Sequence, residues 1–221
     1  MDTGELAGRI DLSFLKVDSS MTVQALREAV GQVEKHGLRS LVIPPLLAGT
    51  VKKNYPHIKV CAVIAFPLGT ETVAAKVFAA SELMEQQVDE LDVVLDLFAL
   101  VNDNKPKVER EARELLAVTK AGKVPLKTII ETPILSEDQI RWATDLLCSA
   151  GVECIKTSTG YNREPTKLEE VRQIKEVASG RCFIKASGGI RTHAHAMAMI
   201  EAGADVLGAS DGGALLASEA S

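Results

Sequence analysis

The sequence predicts a single-domain α/β protein, a closed (β/α)8 barrel occupying residues 1–221. Three observations carry that expectation. Eight short apolar runs alternate with amphipathic helical runs from end to end. Aromatic residues make up only 4% of the chain against 46% hydrophobic, so the core must be Val, Ile, Leu and Ala, as suits strands buried on both faces. The glycines that read as ligand-binding, Gly160, Gly188, Gly189 and Gly208, follow the sixth, seventh and eighth runs, where barrels often hold phosphate. An open doubly wound sheet is the competing architecture. It would place a Gly-x-Gly-x-x-Gly turn after the first strand, and the chain lacks that turn.

The elements follow in order. Residues 10–12 read as the first strand, and 22–36 as a helix closed by Gly37, a residue suited to a left-handed helix end. Strands follow at 41–43 and 60–64, a helix at 71–87, a strand at 90–95 and a helix at 107–121. Residues 126–131 are the fifth strand. Ser136 with Gln139 then reads as a capping box opening a helix. The sixth strand is 154–157, and Thr166 with Glu169 reads as a second capping box. Strand seven at 183–186, a helix at 194–202 closed by Gly203, and strand eight at 206–209 complete the series.

Charge and composition exclude several functions. With 25 basic and 30 acidic residues the net charge is −5, and no basic run or basic–aromatic interleaving is present, which argues against a nucleic-acid partner. No apolar run approaches the roughly 20 residues needed to span a bilayer. Residues 1–9 carry no signal-peptide pattern, so no membrane association and a cytoplasmic location are expected. Cys61, Cys148, Cys154 and Cys182 form no C-x-x-C pair and read as buried, reduced thiols. His193 and His195 are two apart and point apart on a helix, with no third ligand nearby, so no metal site is expected.

Alternation along strands sets the chemistry, because residues two apart share a face. The fourth strand aligns Glu90, Asp92, Val94 and Asp96. The fifth aligns Lys127, Ile129 and Glu131, the sixth Cys154, Lys156 and Ser158, and the seventh Phe183, Lys185 and Ser187. If these faces point inward, the lumen holds ion-pairing groups where a purely structural barrel would hold Val, Ile and Leu. Ile155-Lys156-Thr157-Ser158-Thr159-Gly160 and Ile184-Lys185-Ala186-Ser187-Gly188-Gly189 both run from an apolar stretch through a lysine into a small-residue loop. Burial disfavours a charged lysine and makes its amine nucleophilic. Two such lysines on adjacent strands are expected to lower one another's pKa further. That is the chemistry of a Schiff-base enzyme. Lys127, deeper in its strand, reads as a buried ion-pair partner. Glu90 and Asp96 read as structural, and Glu131 as a holder of the site through hydrogen bonds. The loop glycines expose backbone N–H groups to an anion, and the helix opening near Thr192 adds its positive end.

At these residues the sequence resembles the deoxyribose-phosphate aldolases, class I enzymes on a TIM barrel. The matching runs are Ile10-Asp11, Ala65-Phe66-Pro67-Leu68-Gly69, Asp89-Glu90-Leu91-Asp92, Ile129-Ile130-Glu131-Thr132, 156–160 and 185–191, spread over residues 6–216. The resemblance implies reversible cleavage of 2-deoxy-D-ribose 5-phosphate to acetaldehyde and D-glyceraldehyde 3-phosphate, a step of deoxyribonucleotide catabolism. It implies Lys156 as the Schiff-base lysine, Lys185 as the second lysine that keeps it neutral, and Asp92 as the proton-relay carboxylate. Thr159, Gly160, Gly188, Gly189, Gly208 and Ser210 would hold the phosphate. No metal or organic cofactor is implied; the partners are small sugar phosphates and aldehydes, and a homo-oligomer, dimer or higher, is expected.

Three departures stand out. Asp211 replaces a more usual serine, and its carboxylate is expected to repel phosphate unless it turns away or caps the next helix. It motivates an alternative, a related Schiff-base aldolase with a different acceptor aldehyde, phosphorylated or unphosphorylated. Ile43-Pro44-Pro45 replaces a more usual Val-Asn-Pro. Residues 217–221 carry no tyrosine, which assists proton transfer in some members, so the relay is expected to work without it.

Overall fold

The computed structural model describes residues 1–162 and 164–217. A short helix α1 (Thr3–Ala7) precedes β1 (Ile10–Ser13), α2 (Val23–His36) and β2 (Ser40–Ile43). Then come α3 (Ala48–Asn54), β3 (Val60–Ile64), α4 (Val73–Glu85), β4 (Glu90–Val94), α5 (Leu97–Val101), α6 (Lys105–Gly122) and β5 (Leu126–Ile129). The chain continues through α7 (Glu137–Ala150), β6 (Cys154–Lys156), α8 (Leu168–Ala178), β7 (Phe183–Ser187), α9 (His193–Glu201), β8 (Val206–Ala209) and α10 (Gly212–Leu216). All eight strands pair in parallel with their chain neighbours, and β8 closes on β1, Ile10 facing Leu207. Among the described residues no helix is long and apolar enough to cross a membrane.

Closure depends on apolar packing between strands and helices. Leu41, Val60, Leu91, Leu126, Ile155, Ile184 and Leu207 are fully buried beneath the helical layer. The helix signals read from sequence recur in the structure. Gly37 ends α2 at φ 63°, and Ser136 and Gln139 form the capping box of α7.

Two expectations are corrected here. The predicted box of Thr166 and Glu169 does not form. α8 begins after Lys167, whose N–H is taken by Glu170, while the buried Thr166 hydroxyl donates to the Ser187 carbonyl. Thr166 is drawn into the β6–β7 loop system because an unpaired hydroxyl there would be costly. The fourth and fifth strands also end sooner than predicted. Asp96 leaves the inward face, caps α5 through Ala99 N–H and pairs with Lys107 at 2.6 Å. Glu131 leaves β5 in the left-handed region at φ 57°. Residues 218–221, within the tyrosine-free end, lie outside the described residues.

A second buried ion pair braces the rim. Lys76 of α4 and Glu111 of α6 are both fully buried. Lys76 Nζ also donates to the carbonyls of Gly69 and Val94, and Glu111 accepts from Asp96 N–H. The pair thus ties the β3–α4 loop to the end of β4. Gly69 cannot carry a side chain, since a Cβ there would stand 2.1 Å from the Leu95 carbonyl oxygen. Lys76→Met strands a buried carboxylate and is expected to cost about 3–5 kcal/mol in denaturant unfolding, with much of the loss recovered by adding Glu111→Leu. A loss under about 1 kcal/mol in the single variant would mean the pair is not structurally important.

Candidate active site

The inward faces of β1, β4, β5, β6 and β7 meet in one charged cluster. Its centre is Asp92, fully buried. Asp92 Oδ1 accepts from Lys127 Nζ at 2.7 Å and from the Cys61 thiol at 3.0 Å. Asp92 Oδ2 accepts from Lys156 Nζ at 2.8 Å and from Lys185 Nζ at 2.9 Å. The arrangement follows from register: Asp92 is level with Lys127 on β5, and Lys156 is level with Lys185 across β6 and β7. Lys185 Nζ also lies 2.6 Å from Asp11 Oδ2, and Asp11 Oδ1 takes Arg39 and Ser40. Below them, Glu90 pairs with Lys127 at 2.7 Å and with Arg39.

The charges do not balance. Leaving aside Lys59, half-exposed just before β3, three carboxylates (Asp11, Glu90, Asp92) face four cations (Arg39, Lys127, Lys156, Lys185). In a low-dielectric interior the cation with the weakest compensation is the one whose charged form is most disfavoured. Burial presses on every lysine here, but Asp92, Asp11 and Glu90 overcome it at Lys127, whose pKa stands well above the ordinary value. Asp11 and Asp92 do the same for Lys185, which is raised. Lys156 faces burial and the Lys185 charge with Asp92 as its one carboxylate partner, and its pKa falls. Asp92 itself is held well below the usual carboxylate range, because the three lysines outweigh its burial. The expected mutual lowering is therefore corrected: Lys185 lowers Lys156, but is itself pushed up.

A pocket of about 460 Å³ opens at the C-terminal ends of the strands. Thr159, Gly160, Gly188, Gly189, Gly208 and Ser210, all singled out from sequence, line it. Gly188 and Gly189 hold φ angles of 105° and 79°, which favour glycine, and a Cβ on Gly189 would strike Pro165 at 2.5 Å. Lys156, Lys185 and Asp92 lie beneath this wall and are almost fully buried. Two residues join the levels. Phe66, in the pocket wall, has its ring centroid 5.7 Å from Lys156 Nζ. A Cβ on Gly208 would meet Ser187 Oγ at 2.6 Å and Lys185 Cε at 3.4 Å. Tyr161 packs edge-on against Phe66 and donates its hydroxyl to the Leu15 carbonyl, spanning the mouth.

The remaining expectations sort by depth. Lys127 is the buried ion-pair partner that its place on β5 suggested. Glu131 accepts from Thr159 N–H at 2.9 Å and so fixes the loop after β6. Asp211 turns from the pocket and caps α10 through Ala214 N–H at 3.0 Å. Phe183, predicted on the inward face with Lys185, sits at the open start of β7 and is 63% exposed, because the lumen there gives onto solvent. Sequence reasoning assigned no site role to Asp11, Arg39, Phe66 or Tyr161. For Asp11 and Phe66 the signal was in the runs Ile10-Asp11 and Phe66-Pro67, a carboxylate inside the first strand and an aromatic ring just past the third; Arg39 and Tyr161 carried none.

The family profile of the DeoC/LacD aldolases matches residues 1–217. A deoxyribose-phosphate aldolase of Aquifex aeolicus is 40% identical over 195 residues, 87% of each chain. One of Caldicellulosiruptor saccharolyticus is 34% identical over 99% of this chain and all of its own. Among solved structures, the tetrameric deoxyribose phosphate aldolase from Aeropyrum pernix superposes with a TM-score of 0.88 at 29% identity, covering 96% of this chain and 90% of its own.

The unequal lysines can be read directly. In a pH titration followed by NMR of the lysine Nζ–Cε groups, Lys156 is expected to lose its proton below the ordinary value of 10.5 and before Lys185. Lys185→Met removes the neighbouring charge and is expected to move the Lys156 midpoint up. A Lys156 midpoint above that of Lys185 would contradict the charge argument.

Proposed function

The chain belongs to the DeoC/LacD family of aldolases, and from that premise we propose that it cleaves 2-deoxy-D-ribose 5-phosphate reversibly to acetaldehyde and D-glyceraldehyde 3-phosphate through a Schiff base on Lys156. One observation carries the choice of nucleophile: of the three lysines on Asp92, Lys156 alone has no second carboxylate partner, so its surroundings disfavour its charged form. A neutral amine beside a carboxylate and two retained cations is suited to attack a carbonyl.

The steps follow from the cluster. The Lys156 amine adds to the C1 aldehyde of the open-chain sugar, and the carbinolamine loses water to form an iminium. The iminium draws electrons from the C2–C3 bond as the C3 hydroxyl gives up its proton, releasing D-glyceraldehyde 3-phosphate and leaving an enamine. A proton returned to C2, relayed by Asp92 and Lys185, regenerates an iminium, and water then frees acetaldehyde. Lys185, held protonated by Asp11 and Asp92, keeps Lys156 neutral between turnovers. Thr159, Gly160, Gly188, Gly189, Gly208 and Ser210 cradle the phosphate at the mouth, with Arg191 on the same wall. The unphosphorylated-acceptor alternative loses its motive, since the Asp211 carboxylate is engaged on Ala214.

The same reading extends to assembly and location. We assign the protein to the cytoplasm, as a homo-oligomer. Exposed Phe78 and Phe98, at 71% and 76% accessibility, suit a self-association surface. Sedimentation velocity is expected to give a dimer or larger species; a monomer at micromolar concentration would remove that part of the proposal.

Lys156→Leu keeps the apolar stem and leaves Asp92 paired with Lys127 and Lys185, so the barrel should stay folded. Its kcat for 2-deoxyribose 5-phosphate cleavage is expected to fall by roughly 10⁴-fold or more. A folded variant within tenfold of the unmodified enzyme would end the assignment of Lys156.

A further inference from the structure

The barrel has a second chemically primed place, remote from the lysine cluster. Cys148, near the end of α7, and Cys182, just before β7, have their sulfurs 2.8 Å apart, and both are free thiols. Cys148 is nearly buried, whereas Cys182 is partly open and lines a surface hollow of about 300 Å³. No step of the aldol chemistry uses either.

Their contact does not depend on the thiols alone. Arg181, the residue before Cys182, grips α7 on both sides of Cys148, through Asp145 at 2.8 Å and Ser149 at 3.2 Å. The same guanidinium takes the carbonyls of Val177 and Ala178 at the end of α8. The β6–β7 register adds a backbone bond from Phe183 N–H to the Glu153 carbonyl. Both segments are therefore clamped with the sulfurs facing, and joining them requires only a small approach. The hydrogen bond from the Cys182 thiol and, after it, the Arg181 charge also favour the thiolate at Cys148.

We propose that Cys148 and Cys182 are a modification site at which hydrogen peroxide installs a reversible disulfide that staples α7 to β7. The Cys148 thiolate attacks one peroxide oxygen; the O–O bond breaks, and the departing hydroxide takes up a proton to become water. Cys148 is then a sulfenic acid. The Cys182 sulfur attacks the Cys148 sulfur, forming the S–S bond and expelling the sulfenic oxygen, which leaves as a second water with the Cys182 proton. The two thiols have supplied two electrons, and the peroxide has been reduced to two waters. A dithiol reductant reverses the product by exchange. The bridged segment, residues 148–182, carries β6, Lys156 and the Thr159–Gly160 loop. Closing it removes disorder from the unfolded chain, so the staple secures the strand that holds the central lysine.

Reduced full-length protein would be exposed to stoichiometric peroxide, then alkylated and digested without reduction for mass mapping. The expected product is a Cys148–Cys182 linked peptide that disappears on dithiothreitol treatment. The oxidised protein should melt higher by roughly 5 °C or more, and Cys182→Ser should abolish the shift. Arg181→Ala, which loosens the clamp, should slow bridge formation several-fold without changing the linked pair. Thiols that stay free, advance to sulfinic acid without linkage, or link to Cys61 or Cys154 instead would overturn the proposal.

Discussion

Asp92 accepts hydrogen bonds from three lysine side chains and one thiol in the dry centre of the barrel. A buried carboxylate with that many positive neighbours stays ionised, and its neighbours compete for its charge. Lys127 and Lys185 win because Glu90 and Asp11 support them from outside the central contact. Lys156 has no second carboxylate partner. The difference between three similar side chains is thus a matter of who stands behind each one, and it decides which amine can act as a nucleophile.

The scaffold divides the work by height along the barrel axis. The lower and middle layers fix charge. The rim holds small residues and backbone N–H groups around the 460 Å³ pocket. Phe66 and Gly208 connect the two levels. Elements remote from the chemistry keep the rim in place: Lys76 and Glu111 hold the β3–α4 loop to β4, and Glu131 holds the loop after β6.

Much of this was legible in the chain because strands enforce a two-residue period. Lys127, Lys156 and Lys185 each stand in an apolar run, so alternation fixed which residues share their faces, and the trailing glycines marked the pocket end. What alternation does not report is pairing across sequence distance. Asp11 meets Lys185 only because β8 closes on β1, and Arg39 reaches Asp11 and Glu90 from the edge of β2. Local pattern also misread Thr166, where a cap-like spacing was overridden by the demand of the Ser187 carbonyl and the Thr157 and Ser158 hydroxyls. Asp211 shows the opposite case: a carboxylate that looked hostile to phosphate serves its own backbone.

The central claim is that the least supported lysine is the one that bonds to substrate. Incubation with acetaldehyde and borohydride, followed by peptide mass mapping, reads it in one step, since reduction fixes any imine at its nitrogen. The account predicts a single reduced ethyl adduct on Lys156. An adduct on Lys185 or Lys127, or none on folded protein, would contradict it.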